Sequence, residues 1–399
     1  MSVLTGWTPR ERHAVLAAYL GWALDAFDFF VLVFVLKDIA KGFQVDNSAI
    51  ALALTLTLAF RPLGAFIFGR LADRYGRRPI LMVNVAFYSL FGFLTAFAPS
   101  LMAFYVIRSL FGVAMGGVWG VGSSLAFETV KSDKRGFVSG LLQSGYATGY
   151  LAASLVFAFY AFLGWRGMFM VGLVPAFLLI YYIWQMTGEA PGWNRERAQT
   201  TSTFSVLRNH WRLVLFAVVM MTAFNFFSHG TQDIYPTFLR EQHGFSTAKV
   251  SLIAILYNIG AIVGGIGFGS LSQRIGRRRA SMIAALMGVP VAFLWAFSST
   301  AVLLTVGAIL MQIAVQGAWG VIPAHLNELS PKDVRGTFPG TVYQLGNLIA
   351  SVNAVFQTEL AARSGGNYGL ALAVVAIGAA LVIALCMKFG PEAKHVEMI

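Results

Sequence analysis

Twelve apolar stretches, each long enough to cross a hydrocarbon core, leave this chain few ways to fold. They fall at about 13–36, 47–71, 79–98, 101–126, 137–160, 167–187, 213–239, 248–272, 280–298, 301–326, 338–361 and 369–388. A core of about 30 Å is crossed by roughly 20 apolar residues in a helix. Inside it, backbone polar groups must be satisfied within the chain, which leaves helices as the solution for stretches of this length. Of the 399 residues, 57% are hydrophobic and 12% charged, about half the charge of a soluble domain. The pattern predicts an all-α membrane protein with twelve transmembrane helices. A single cysteine, Cys386, permits no internal disulfide and matches no metal-ligand spacing, so neither metal nor cofactor is expected. The opening MSVLTGWTPRERH lacks an apolar run followed by a cleavage site, and no removable signal peptide is expected.

The net charge of +12 raises the question of nucleic acid, and its placement answers it. Twelve spans put both termini on one side. Of 29 Lys and Arg residues, 21 lie on that side and six on the other, with Arg61 and Arg108 inside spans. The excess marks the side of the termini as cytoplasmic. The expected location is a plasma membrane, the inner membrane of a bacterium, and the lipid bilayer is the partner rather than nucleic acid.

The sequence also repeats itself. GRLADRYGRR at 69–78 returns as GSLSQRIGRR at 269–278. Gly117, Trp119, Gly120, Glu128, Arg135, Gly136 and Gly140 each recur 200 positions later. Asp25 then stands opposite Asn225, and Asp28 opposite Ser228. The chain thus divides into two pseudo-symmetric six-helix bundles, 1–187 and 212–399, joined by the polar linker 188–211.

Within span 7, the stretch NFFSHGTQDIYPT at 225–237 sets Asn225, His229 and Asp233 at i, i+4, i+8, with Ser228 and Gln232 beside them. This is a polar stripe on an apolar helix, and such residues face a cavity or a partner helix. Pro236 removes a backbone donor and is expected to kink the helix there. Arg61 lies 12 residues before Asp73, about 18 Å along a helix, which places it near mid-membrane. A planar guanidinium at that depth suits two-pronged capture of a carboxylate; an ion pair with Asp25 or Asp28 is the other reading. Asp25 and Asp28 share a face of span 1 and suit a proton carrier, or else balance the charge of Arg61 and Arg108. His229 and Asp233, one turn apart, could take up a coupling proton, since imidazole titrates near neutrality, or could form a structural stripe.

Thr231 joins Asn225, Ser228 and Gln232 as a neutral hydrogen-bonding group. Gln143, Asn258, Tyr343, Gln344 and Asn347 are cavity candidates by position, with interhelical packing bonds as the alternative. Gly112, Gly116, Gly117 and Gly120 read as a close-packing face of span 4, since no strand precedes them for a dinucleotide site. Arg70, Asp73, Arg77 and Arg78 read as a cytoplasmic latch, made in one conformation and released in another, or as topology signals alone. The pairs Glu128/Arg135 and Glu328/Arg335 carry the same two readings.

The loop at 69–78 resembles the G-x-L-a-D-R-x-G-R-R signature of the major facilitator superfamily, and Arg108 with Gly112 resembles its R-x-x-x-G pattern. Within that superfamily, 225–237 resembles the Jen-type lactate and carboxylate permease signature N-x-x-(S/T)-H-x-(S/T)-Q-D-x-x-x-T. QSGYATGYL at 143–151 and YQLGN at 343–347 are similar to that family's spans 5 and 11. The DAFD element at 25–28 resembles D-G-F-D of sialate and aromatic-acid proton symporters, with alanine in place of glycine. The resemblance implies a proton-coupled symporter of small monocarboxylates, working as a monomer by alternating access. Arg61, Asn225, Ser228, His229, Gln232, Tyr343 and Gln344 would then bind substrate, and Asp25, Asp28, His229 and Asp233 would handle the proton. Span 5 lacks a Gly-Pro element that would resemble antiporters. The rival expectations are a sialate or aromatic-acid symporter and a non-transporting sensor. No nucleophile–base pair, metal cluster or phosphate loop points to an enzyme.

Overall fold

The computed structural model describes residues 6–194, 202–394 and 396–398. Helix α1 (Pro9–Phe43) starts at a capping box, in which the Thr8 hydroxyl accepts from Glu11 N and the Glu11 carboxylate accepts from Thr8 N, with Pro9 in the first helical position. It stops where Gln44 turns left-handed at φ 56°. Helices α2 (Asn47–Tyr75) and α3 (Arg77–Thr95) are separated by one residue, Gly76, at φ 108°. Their repeat partners, α11 (Thr247–Ile275) and α12 (Arg277–Phe297), are separated by Gly276 at φ 97°. That backbone is strained for any residue with a Cβ, so each half turns its arginine-rich loop on one glycine.

The other elements are α4 (Leu101–Phe127), α5 (Arg135–Tyr160), α6 (Gly164–Val171), α7 (Leu173–Met186), α8 (Thr203–Asn209), α9 (Trp211–Gln232), α10 (Tyr235–Glu241), α13 (Ala301–Trp319), α14 (Ile322–Leu329), α15 (Phe338–Ala350), α16 (Asn353–Arg363) and α17 (Tyr368–Phe389). The molecule is an all-α membrane protein of twelve spans in two six-helix bundles. Ten helices or consecutive helix pairs among the described residues are long and apolar enough to cross a membrane by composition alone. The remaining spans are α5, diluted by Gly, Ser, Thr and Gln, and span 11, broken at 351–352 into α15 and α16. Span 7 breaks too: α9 ends at Gln232 and α10 begins at Tyr235, with Pro236 just inside it, as a proline that cannot donate to Gln232 O requires.

Each half has its own apolar core, one around Trp295, Phe224 and Phe227, the other around Tyr88, Phe104 and Phe111. Along the α2–α4 seam, a Cβ at Gly112 would overlap Thr57 O and one at Gly116 would overlap Arg61 O. The expected small-residue face of span 4 therefore brings backbone onto backbone beside Arg61. Gly120 differs, for it meets Gly340 of the other half.

The halves close on each other at the end that carries the arginine-rich loops and both described chain ends. Gly69 lies on Gly336, Gly136 on Gly269 and Gly140 on Gly265. The start of the linker is docked there: Glu189 accepts from Arg77 N at 2.9 Å, and the Trp193 indole donates to Asp73 O at 2.8 Å. Arg195 and Arg197 lie outside the described residues, as does the rest of 195–201.

The α2–α4 seam yields a stability prediction. Gly116→Ala should force α4 off α2 at a cost of about 1–3 kcal/mol, read as a lower midpoint of thermal unfolding in detergent. An unchanged midpoint would show that α4 is free to shift.

Candidate functional site

Four charges meet inside the N-terminal bundle. Asp25, Asp28, Arg61 and Arg108 are all buried. Arg61 donates to Asp25 Oδ2 at 3.4 Å, with its guanidinium 6.0 Å from the Phe29 ring. Arg108 lies over the Phe111 ring at 3.9 Å, within electrostatic range of both aspartates. The Asp28 carboxylate occupies the space left by Gly92 and Gly172, where a Cβ at Gly172 would overlap it. The ion-pair reading of Arg61 thus describes this conformation. A single long contact at 3.4 Å leaves most of the guanidinium's donor capacity unused.

The stripe of span 7 faces this cluster from the other half. His229 and Asp233 keep 33% and 40% of their side-chain surface exposed, so water reaches them. The imidazole bridges two elements: Nδ1 is 3.1 Å from Asp233 Oδ2, and Nε2 is 2.9 Å from Asn347 Oδ1 on α15. Asn347 Nδ2 donates to Gln344 Oε1 at 3.5 Å, which turns its acceptor oxygen to the ring. A carbonyl oxygen only accepts, so this contact is a hydrogen bond when Nε2 carries the hydrogen. In a neutral ring, Nδ1 would then present a lone pair to a carboxylate. The Nδ1–Asp233 contact is attractive when a further proton lies between them, an arrangement that can hold one exchangeable proton.

Around these groups stand Tyr146 of α5 and Tyr343 of α15, both within electrostatic range of Arg61 and Asp25. Tyr343 lies between Trp119, 4.9 Å away by ring centroid, and Trp319, 5.4 Å away. These tryptophans are repeat mates from opposite halves. Trp22 and Phe30 pack on Tyr146 at 5.5 and 5.2 Å. The centre is therefore ionic at mid-depth and walled by aromatic rings.

Other expected residues fall in different places. Gln232 donates to Gln312 Oε1 at 2.9 Å and lies 3.5 Å from Ser228 Oγ, while Gln312 donates to Thr231 at 3.3 Å. Asn225 is 2% exposed and spends its amide on Met221 O of its own helix, and Asn258 does the same with Ala254 O. Gln143 is half-buried with Gln344 fully buried. Sequence reasoning missed Tyr146, Gln312, Asn353 and Gln357. The last two tie the break in span 11 to the stripe, for Asn353 donates to Gln357 and Gln357 donates to Gly230 O at 2.8 Å. A polar residue inside an apolar run, the signal that singled out span 7, was also present at Gln312 and Gln357.

At the closed end, the Asp73 carboxylate accepts from Gly336 N at 2.7 Å, Thr337 N at 3.0 Å and Thr337 Oγ1 at 2.6 Å. Thr337 is the N-cap of α15, so the anion of one half sits on the positive end of a helix of the other. Arg77 holds it from behind at 3.1 Å and bonds Glu128 at 2.9 Å. The mirror arrangement has Arg277 gripping Glu328 with two nitrogens at 2.8 and 2.9 Å, and Gln273 accepting from Gly136 N at 3.0 Å. The expected pairings Glu128/Arg135 and Glu328/Arg335 are exchanged. Each glutamate ends span 4 or 10 beside the start of span 3 or 9, and so meets Arg77 or Arg277 instead. Arg135 crosses to Glu328 of the other half at 4.0 Å, and Arg335 turns to backbone carbonyls near the chain end. Arg70 is exposed, and Arg78 binds the last carbonyls of α7, so neither joins the cluster.

A twelve-span scaffold of two six-helix bundles, with ionisable groups of one half facing those of the other, is the architecture of a secondary transporter. Residues 18–246 match the family described as Major Facilitator Superfamily, and residues 213–395 match Sugar (and other) transporter. The chain belongs to the major facilitator superfamily. It is a secondary transporter, an integral membrane protein and not an enzyme. A carboxylic acid transporter protein homolog of Saccharomyces cerevisiae is 28% identical, over 95% of this chain and 68% of that one. The sialic acid transporter NanX of Escherichia coli is 26% identical, over 95% of each. The structure of the proton:xylose symporter XylE bound to 6-bromo-6-deoxy-D-glucose superposes with a TM-score of 0.78 at 18% identity, over 96% of each chain. That likeness concerns the fold.

The latch geometry predicts that Asp73→Asn weakens closure at the arginine-rich end. An amide keeps the shape but loses the charge, and hydrogen bonds to a charged group are worth about 1.5–3 kcal/mol. Cysteines placed in the central cavity should become more reactive from that end and less from the other. Unchanged labelling from both ends would reduce the cluster to a topology signal.

Proposed function

We propose that this chain is a proton-coupled symporter of small monocarboxylates, with lactate or pyruvate as the leading candidates. The observation that carries the reading is the Arg61 guanidinium, with donors to spare, facing the water-exposed His229/Asp233 pair of the other half. Arg61 neutralises the incoming carboxylate, which replaces Asp25 as its partner. The His229/Asp233 pair takes the proton, with Asp25 and Asp28 as the competing carriers. Ser228, Gln232, Tyr343 and Gln344 select among acids, and Asn225 shapes the helix that presents them. Proton and anion travel together, so net charge movement is near zero. The bodies 1–187 and 212–399, joined by 188–211, rock about the site in a plasma membrane with both termini cytoplasmic, and one chain suffices. The relatives named for carboxylic acid and sialic acid transport support an acidic substrate. The aromatic walls built by Trp119, Trp319, Tyr146 and Tyr343 favour a second reading, an aromatic-acid or sialate symporter. Competition by lactate against benzoate or sialate separates the two.

The deciding experiment is uptake of radiolabelled lactate into proteoliposomes with and without an imposed pH gradient. Accumulation driven by an acid exterior supports the reading; uptake indifferent to the gradient overturns the coupling. In the same assay Arg61→Lys should lose at least about tenfold in transport at equal reconstitution, because an ammonium lacks the fork and bonds to charged groups carry about 1.5–3 kcal/mol. Asp233→Asn mimics the protonated acid and cannot release its proton. It should still exchange labelled for unlabelled lactate but should not concentrate it. If Asp233→Asn accumulates lactate as the parent does, the proton belongs to Asp25 or Asp28.

A further inference from the structure

The segment beyond α17 does not trail away from the bundle. Glu392 accepts from Arg278 N at 3.1 Å and Arg277 N at 3.4 Å, capping α12 as Glu189 caps α3. Lys394 then reaches Arg274 O at 3.3 Å. Past that point the two halves diverge. The linker leads on to the second bundle, whereas residues 396–398 enter the closed interface. Arg135 of the first half donates to Val396 O at 2.6 Å. Its repeat mate Arg335, of the second half, donates to Met398 O at 3.2 Å and Glu397 O at 3.4 Å. The Met398 side chain, 2% exposed, lies in an apolar cluster of Val15, Phe127, Val138 and Leu142 from the first half and Ala324 from the second. Opening that end would pull the walls of this cluster apart.

We propose that the segment 396–398 is a wedge specific to one conformation: it binds across both halves when the arginine-rich end is shut, and it must leave before that end opens. The transporter then carries its own brake on that step. Two arginines bound to backbone carbonyls fix where the segment lies, and Met398 supplies the adhesion. A thioether side chain fills such a gap with little demand on shape. Burying it is favourable by roughly the amount that separates a mostly closed from an evenly divided population. This rests on the alternating-access part of the proposed function and on nothing about the substrate.

The test reads conformation without any substrate, so it stands whether or not lactate is transported. Ser139 is buried at the interface, where its hydroxyl accepts from Ala324 N at 3.0 Å. In a full-length Cys386→Ala background, Ser139→Cys should react slowly with a soluble maleimide while the end is closed. Adding Met398→Asp should accelerate labelling by at least about tenfold, the ratio that corresponds to roughly 1.4 kcal/mol. Met398→Leu, which keeps an apolar side chain of similar volume, should leave it slow. Size-exclusion and thermal-unfolding profiles establish that each variant is folded. An unchanged rate in folded Met398→Asp overturns the proposal, and so does a lower melting point without faster labelling, since both would make the segment ordinary packing.

Discussion

A charge at the middle of a bilayer costs about 2.5–3.5 kcal/mol even on the mildest scale, and one half of this protein buries four. Asp25, Asp28, Arg61 and Arg108 have formal charges that sum to zero, and each acid has a guanidinium within electrostatic range to offset the cost of its burial. The repeat sharpens the point. Their counterparts 200 positions on are Asn225, Ser228, Ala261 and Ala308, so the whole quartet is absent from the second half, where buried Ala261 and Ala308 fill the same positions. The second half places its ionisable pair, His229 and Asp233, one turn further along, where water reaches it. One half therefore buries a balanced set of ionisable groups, and the other places its His/Asp pair at a wet surface. In the proposed symport, an anion entering between them would disturb the first balance and be compensated at the second.

The closed end obeys the opposite rule, and there the repeat is nearly kept. Arg77 and Arg277 grip Glu128 and Glu328. Glu189 and Glu392 cap the helices that those arginines begin. Gly136 and Gly336 offer their N–H groups across the interface. The departure is Asp73 against Gln273: the anion accepts three bonds and the neutral amide accepts from one backbone N–H. Closure is thus stronger through α15 than through α5, because only the first contact joins a full charge to a helix N-terminus.

The architecture was legible because the bilayer leaves a chain few options: hydropathy gives the spans, and a 200-residue offset gives the two halves. Pro236 gave the break in span 7. The break in span 11 was hidden, since neither Ser351 nor Val352 stops a helix by itself, and tertiary contacts through Asn353 and Gln357 decide it. Among the candidates, depth arithmetic singled out Arg61, which the structure pairs with Asp25, and helical spacing singled out His229 and Asp233, which it places 3.1 Å apart. Asn225 shared their stripe but turned to its own backbone, because spacing gives a face and not the rotamer that a side chain adopts on it. Tyr146 and Gln312 escaped notice because their role depends on which helices adjoin, which one chain's periodicity does not encode. The exchanged partners of Glu128 and Glu328 have the same cause, for sequence proximity to Arg135 and Arg335 competed with a spatial neighbour 51 residues away.

The centre and the latch meet on one element. Helix α15 begins at Thr337, held by Asp73, and ten residues later presents Asn347 to His229, a separation of about 15 Å along a helix. Between them it carries Gly340 against Gly120 of the other half and Tyr343 against Trp119. It is continuous from the latch to Ala350 and breaks just beyond. A helix held by Asp73 at one end and bonded to His229 at the other is not free to shift at either end alone. In the proposed mechanism, a change of proton at the imidazole would alter its bond to Asn347, and release of Asp73 would free the other end of the same helix. One continuous helix thus joins the contact across the closed end to the ionisable pair at the centre, which is the physical connection that coupling a central binding event to that end would require.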